Sequence, residues 1–268
     1  MRKIFLVMGC MALGWISGPA VESPAQGKSL SVQDIVDRSN LAAYYEGKDG
    51  RSHVNMTIID SQGRPRERRF VILRRDDKDG GDQKFYVHFS RPSDVRNMVF
   101  MVWKNIGAND DRWLYLPALD LVKRIAASDK RTSFVGSHFF YEDVSGRNPA
   151  DDTHELTDTT SQHYVLKNTP KNPGEVEFSY YKLWVDKSSY LPMKAEYYDK
   201  NEKKYRLVES LKVETIQGHP TVTEAKVTDL KSGGHTVSVF SKVQYDLGIK
   251  DSIFTERYLR RAPRRWLK

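Results

Sequence analysis

The sequence predicts a mainly β (α+β) protein, in which one leading helix is followed by a long antiparallel meander. Three observations support this fold class. From residue 52 onward, short segments alternate apolar and polar residues, turn residues separate them, and strand–helix–strand alternation is absent. A meander of about eleven or twelve strands would expose two long edges unless the sheet curls or closes. We therefore expect one strongly curved sheet.

The first element is a helix over Val32 to Tyr45. Ser31 and Asp34 have the spacing of a capping box, and Gly47 is predicted to end the helix. The residues that share one face at helical spacing are Val32, Ile35, Val36 and Ser39.

The strands follow as segments long enough to cross one sheet. The turn Asp60 to Gly63 separates the first two, and Pro117 ends a strand because it lacks a backbone N–H. The predicted strands are Val54–Ile58, Arg69–Arg74, Phe85–Phe89, Met98–Trp103, Trp113–Leu116, Leu119–Ile125, Gln162–Lys167, Glu175–Val185, Met193–Tyr198, Tyr205–Val213, Thr221–Leu230 and Thr236–Tyr245.

Residues 1–25 have the pattern of a secretory signal peptide. Arg2 and Lys3 precede an apolar run from Ile4 to Ile16, and small residues end at Ala20 and Ala25. The run is shorter than the roughly 20 residues of a transmembrane helix. We expect cleavage after Ala25, or else after Ala20, which leaves a single domain over 26–268 in the periplasm.

Cys10 is the only cysteine and lies inside the apolar run. The cleaved protein would therefore contain no thiol and no disulfide. The alternative is a lipid-anchored form in which Leu6 to Cys10 serves as a lipobox and Cys10 is acylated. Only five residues would then precede the box, which is shorter than the roughly 7 to 15 residues typical of a signal core.

The sequence favours a binding protein over an enzyme and predicts no cofactor. It contains no nucleophile elbow, no paired-histidine zinc motif and no glycine-rich phosphate loop. One spacing suggests a metal or acid–base site: His138 and Glu142 are four residues apart, with Asp143 beside them. The formal net charge of +8 in an exported chain favours anionic membranes or acidic partners over nucleic acid.

Residues 112–147 are the most diagnostic stretch, since an aromatic strand is followed by a basic strand and a polar–aromatic segment. The motifs WLYLP, VKRI and SFVGSHFFYED, with IFTERYLRR near the end, resemble the outer-membrane lipoprotein-sorting protein family, which is LolA-like. One difference is His138, where the family pattern commonly has an acidic residue. The resemblance spans most of the chain after the signal peptide.

This resemblance implies an unclosed barrel whose curved sheet wraps around helices on its concave side. It also implies an inserted lid over Ser128 to Ala150 and an apolar cavity for an acyl chain. The lid residues that match the family motif are Ser133, Phe134, Gly136, Ser137, Phe139, Tyr141, Glu142 and Asp143.

The apolar faces of the first strands either fill a core or line that cavity. From the residues alone, core filling is the simpler interpretation, because any sheet needs a buried face. The family resemblance favours the cavity. The candidate ligand-binding residues are Val54, Met56, Ile58, Phe85, Val87, Phe89, Trp113 and Tyr115.

Two basic clusters remain. The hairpin cluster Arg64, Arg66, Arg68 and Arg69 is interpreted as a solvated edge. In the C-terminal segment, Pro263 is expected to break a short helix and leave the following residues projecting toward a membrane or an acidic partner. The candidate docking residues are Arg260, Arg261, Arg264, Arg265 and Trp266.

The sequence thus predicts a periplasmic carrier or chaperone that transports a lipid or lipoprotein acyl chain toward the outer membrane. An inner-membrane RND-type or ABC-type transporter is the expected partner. The alternatives are a sensor that reports lipid or lipoprotein to a membrane partner, and a hydrolase of an envelope lipid.

Overall fold

The computed structural model describes residues 30–268. The predicted signal peptide, Cys10 and both predicted cleavage sites lie outside the described residues. None of the helices within the described part is long and apolar enough to cross a membrane.

The leading helix α1 spans Val32–Tyr44, close to its predicted bounds. Ser31 caps it: the Asp34 backbone N–H donates to Ser31 Oγ, and the Asp34 carboxylate accepts from the Ser31 backbone N–H. This reciprocal pair satisfies two donors that a helix start otherwise leaves free.

Thirteen strands follow. They are β1 Asp49–Ile59, β2 Pro65–Asp76, β3 Gln83–Arg91, β4 Val99–Lys104, β5 Asp111–Leu116, β6 Leu121–Arg124, β7 Asp152–Thr159, β8 His163–Pro170, β9 Phe178–Asp186, β10 Pro192–Asp199, β11 Lys204–Ile216, β12 His219–Asp229 and β13 His235–Tyr245. Two short helices complete the set, α2 Tyr141–Ser145 and α3 Glu256–Arg260. Twelve of these strands have a predicted counterpart, and β7 is the strand without one.

The strands form one antiparallel sheet in the order β6-β5-β4-β3-β2-β1-β13-β12-β11-β10-β9-β8-β7. Because β1 pairs with β13, the two edges are β6 and β7, which are consecutive in the chain. The segment 125–151 therefore connects one edge to the other. This segment, with α2, is the lid.

We call β1 to β6 the first half of the sheet and β7 to β13 the second half. Each face of the first half is covered by a different part of the chain. We call the face under α1 and the lid the inner face, and the other the outer face. On the inner face, Phe134 and Tyr141 of the lid pack among Phe70, Phe89 and Phe100, with ring centroids 4.9–6.2 Å apart. These aromatic contacts make a filled core over β2 to β5.

The C-terminal segment covers the outer face. Ile249, Ile253, Phe254 and Leu259 are buried against apolar residues of β2 to β5. Tyr86 Oη donates to the Tyr258 carbonyl at 2.7 Å, which fixes α3 on the sheet. The first strands are therefore buried on both sides.

Candidate functional site

A cavity of about 470 Å³ lies on the inner face, between α1, the lid and the strands of the second half of the sheet. Val36, Ala43 and Tyr44 contribute the helix wall, and Phe134, Phe139 and Val144 the lid wall. The sheet contributes mainly apolar residues, among them Val54, Phe70, Ile72, Leu166, Leu183, Val208 and Phe240. Its size and apolar lining are typical of small-molecule sites.

Small side chains account for the space. Ser210, Ala225 and Ser238 form one cross-strand row over β11, β12 and β13, and the row continues to Met56 on β1. All four line the cavity. Where the first half of the sheet places phenylalanines, Ser210, Ala225 and Ser238 carry only one or two side-chain heavy atoms, which leaves space between the sheet and α1.

The predicted ligand-binding residues divide into three groups. Val54, Met56 and Phe85 belong to the buried inner-face core and also line the cavity. Ile58, Val87 and Phe89 belong to the same core but do not line the cavity. Core filling therefore holds for all six residues, and cavity lining for three of them.

Trp113 and Tyr115 require a correction. Their neighbour Leu114 packs into the inner core, so the strand alternation places Trp113 and Tyr115 on the outer face. There they contact the cluster that the C-terminal segment covers, and Trp103 packs edge-on against Trp113 at 5.0 Å. Neither residue lines the cavity.

The lid loop is fixed by its own polar side chains. Ser133 Oγ donates to the Ser137 carbonyl at 2.6 Å, and Ser137 Oγ donates to the Phe134 carbonyl at 2.7 Å. Gly136 has a positive φ of 74°, which permits this tight loop. The result is that Phe134 is held in the core and Phe139 in the cavity wall.

Glu142 of the lid is buried and holds the lid in place through ion pairs. Its carboxylate accepts a hydrogen bond from Arg131 Nη1 at 2.7 Å and lies 3.5 Å from both Lys130 Nζ and Arg147 Nη1. Burial alone would raise the pKa of Glu142, but Arg131, Arg147 and Lys130 outweigh it and hold the pKa below its usual value. Glu142 is therefore ionised and fully paired.

Two arginines join the lid to the second half of the sheet. Arg131 donates to Glu177 at 2.8 Å, and its guanidinium lies 4.8 Å from the Phe178 ring centroid. Burial opposes the charge of Glu177, but hydrogen bonding to Arg131 lowers the pKa of Glu177 to about 2. Arg206 of β11 pairs with Asp143, which also accepts from the Phe140 backbone N–H at 2.6 Å.

His138 does not combine with Glu142. Its Nδ1 lies 2.8 Å from Thr236 Oγ1 of β13, whereas Glu142 is enclosed by arginines and a lysine. Burial lowers the pKa of His138. Over residues 30–268, no group of three His, Cys, Asp or Glu residues is arranged to hold a metal ion.

The candidate docking residues are less free than the sequence suggested. Trp266 packs with Leu267 against the outer-face cluster, so the chain beyond Pro263 does not project. Arg260 Nε is bound to Asp120 Oδ1 at 3.0 Å. Arg261, Arg264 and Arg265 remain exposed. The expectation of a projecting tail is wrong because its apolar residues find an uncovered part of the sheet.

Comparisons with known proteins agree with this geometry. A family model described as "Uncharacterized protein" matches residues 81–261. A DUF1329 family protein from Desulfovibrio piger is 31% identical and superimposes with a TM-score of 0.77, over 84% of this chain and 96% of that chain. A search of curated proteins gave no match.

Two further solved structures are similar in fold. A putative outer membrane lipoprotein-sorting protein domain from Vibrio parahaemolyticus is 24% identical with a TM-score of 0.76, over 85% of this chain and 96% of that one. A LolA superfamily protein from Nitrosomonas europaea is 21% identical with a TM-score of 0.67, over 86% of this chain and 100% of that one. The predicted LolA-like unclosed barrel is confirmed.

Proposed function

We propose, from the premise that this chain belongs to the DUF1329 family and has the LolA-like fold, that it is a periplasmic carrier of acyl chains. The cargo is a lipid or the acyl part of a lipoprotein, and the carrier moves it across the envelope toward the outer membrane. The names of two structural relatives, a lipoprotein-sorting domain and a LolA superfamily protein, support the periplasm as the location.

The observation that carries this proposal is the apolar cavity beneath α1. It adjoins the filled core, since Phe70 and Phe134 belong to both, and it extends beyond that core along β8 to β13. An apolar chain can bind in such a space without a covalent step, since each buried methylene contributes about 0.8 kcal/mol to the binding free energy. A single acyl chain would gain on the order of 10 kcal/mol before ordering costs. That is enough to hold a lipid in water and still release it.

Binding without catalysis is supported by the state of the carboxylates at the cavity. Glu142 and Asp143 both line it, and both are engaged in ion pairs with arginines. A general acid or base needs a pKa near the working pH, whereas the arginines and lysine around Glu142 hold its pKa low. We propose that an inner-membrane transporter of RND or ABC type supplies the cargo.

Two substitutions on one strand test the proposal. Val208 of β11 lines the cavity, whereas Leu211 of the same strand is 49% exposed. We expect Val208→Asp to abolish binding of a fluorescent fatty acid, because a carboxylate in the wall must be desolvated when the chain enters. Leu211→Asp should bind as the wild type does. Circular dichroism checks that both variants fold.

Mass spectrometry of the protein purified from its native periplasm identifies the cargo. We expect an acylated lipid or lipopeptide in the wild type and its loss from Val208→Asp. Absence of any acyl compound, together with no binding of the fluorescent fatty acid, would contradict the carrier proposal.

A further inference from the structure

Three turns of the first half of the sheet lie along one end of it. The pairing of Ile59 with Pro65, of Arg69 with Arg91, and of Leu116 with Leu121 places the β1–β2, β3–β4 and β5–β6 turns at the same end of neighbouring strands. Side chains that are far apart in the sequence are thus brought to one rim.

Arginines concentrate on this rim. Arg69 and Arg91 are directly opposite each other on β2 and β3, and with Arg96 they line one cleft in which Glu67 is the only acid. Like charges directly opposite in a sheet are destabilising.

The positive charge is largely uncompensated within the protein. Asp60 and Asp94, the acids of the two turns, are paired with Arg64 and Arg68. Glu67 reaches Arg69 only at 3.5 Å. In the described part of the chain, Arg91 and Arg96 form no ion pair and both are exposed.

Exposed leucines lie on the adjoining turn of the same rim. Leu119 is 71% exposed and Leu121 is 45% exposed. Asp120 between them would repel an anionic surface, but Arg260 Nε binds its carboxylate at 3.0 Å. The rim therefore offers both free cations and apolar side chains to the same partner.

The opposite end of these strands lacks such an excess of cations. The β2–β3 turn carries Asp77, Asp79 and Asp82 with a single lysine, Lys78, and Asp77 is paired with Arg75. An anionic surface would therefore attract the arginine-rich end more strongly than the opposite end. This asymmetry favours a single orientation at such a surface.

We propose that this arginine rim, Arg69, Arg91 and Arg96 with Leu119 and Leu121, docks the protein reversibly onto an anionic lipid bilayer. The cations bind lipid headgroups, and the two leucines insert at the headgroup boundary. A lipid surface fits better than an acidic protein because the exposed leucines project from a turn tip and do not form a groove. The inference rests on the proposed envelope carrier only for the presence of a membrane nearby.

Vesicle co-sedimentation tests the rim directly. The full-length processed protein is mixed at low salt with vesicles of one part phosphatidylglycerol to three parts phosphatidylcholine, and with pure phosphatidylcholine vesicles. Each basic residue near such a surface contributes about fivefold in partitioning, so Arg91→Gln with Arg96→Gln should bind about 25-fold more weakly. The matched control, Lys242→Gln with Lys250→Gln, removes the same charge from exposed positions elsewhere and should have little effect.

A third variant separates lipid from protein partners. Leu119→Ser should weaken binding to the anionic vesicles but leave binding to a soluble acidic peptide unchanged. Equal losses for the two double variants, or undiminished binding by Arg91→Gln with Arg96→Gln, would overturn the proposal. So would peptide binding as tight as vesicle binding together with no effect of Leu119→Ser, since the partner would then be an acidic protein.

The same variants keep this inference distinct from the carrier proposal. Fatty-acid binding by the arginine double variant should equal that of the wild type, because the rim does not line the cavity. If the wild type binds anionic vesicles but no fatty acid, the carrier proposal fails while the rim stands.

Discussion

The cavity can be filled from one position without touching the core. Ala225 lies in the middle of the row of small residues, between Ser210 and Ser238, and is only partly buried because its methyl group faces the cavity. Ala225→Leu adds three carbons to this space. If those carbons displace three methylenes of the cargo, binding weakens by about 2.4 kcal/mol, which is about 60-fold.

The same substitution has a different signature if the space is already packed. Overpacking a filled core costs about 1–3 kcal/mol of unfolding free energy, whereas filling a cavity leaves stability unchanged or raises it. Fluorescent fatty-acid titration and urea denaturation of the same samples measure both quantities. Val239→Leu, at a 41% exposed position facing away from the cavity on β13, is the control. Destabilisation by Ala225→Leu, or unchanged fatty-acid binding, would refute the reasoning.

Two further predictions concern the lid. Gly146 has a φ of +75°, and a Cβ there would lie 2.4 Å from the Tyr44 ring, so Gly146→Ala should lower the unfolding free energy measured in urea by several kcal/mol. The control Gly63→Ala, at a φ of +78° with no atom within 4 Å, should lower it by about 1 kcal/mol. Equal losses of unfolding free energy would contradict the clash with Tyr44. Burial lowers the pKa of Lys104, which donates to the Ser145 carbonyl, to about 8 from 10.5. Between pH 8 and 10.5 the unfolded chain therefore binds more protons than the folded one. Over this range the unfolding free energy of the wild type should rise relative to that of Lys104→Met, by up to ~3 kcal/mol. A difference that stays constant with pH would show that the pKa of Lys104 is not lowered in the folded protein.

Local signals in the sequence were sufficient for most of the fold. The reciprocal pair of Ser31 and Asp34 marked the helix start, and alternation along β1 and β3 marked their inner faces. Strand β7 was not recognised, because it is an edge strand of mostly exposed polar residues in which only Asp152 is buried. A strand that buries so few residues shows no alternation of apolar and polar residues from which it could be predicted.

The candidate site was only partly predictable, for two reasons. Trp113 and Leu114 of β5 are both buried, so alternation shows that they face opposite ways but not which of them faces inward. The row of Ser210, Ala225 and Ser238 arises from the register of three strands, and no short window of sequence contains it. Alanine or serine at inward positions of several late strands was the available signal.

The two halves of the inner face suggest how an empty cavity avoids collapse. A void lined by apolar residues favours closure, because every wall that moves inward removes apolar surface from water. The lid cannot move inward in this way, because ion pairs hold it. Arg131 of the lid pairs with Glu177 beside β9, and Asp143 of the lid pairs with Arg206 of β11.

Buried ion pairs of this kind add little net stability over apolar replacements, but breaking one leaves a charge uncompensated at a cost of about 3–5 kcal/mol. They therefore fix the distance between lid and sheet more firmly than they stabilise the fold. Phe134 of the lid packs against Phe70, Phe89 and Phe100 and so holds the lid on the first half of the sheet. In this arrangement the open half of the inner face remains available to a chain that enters and leaves.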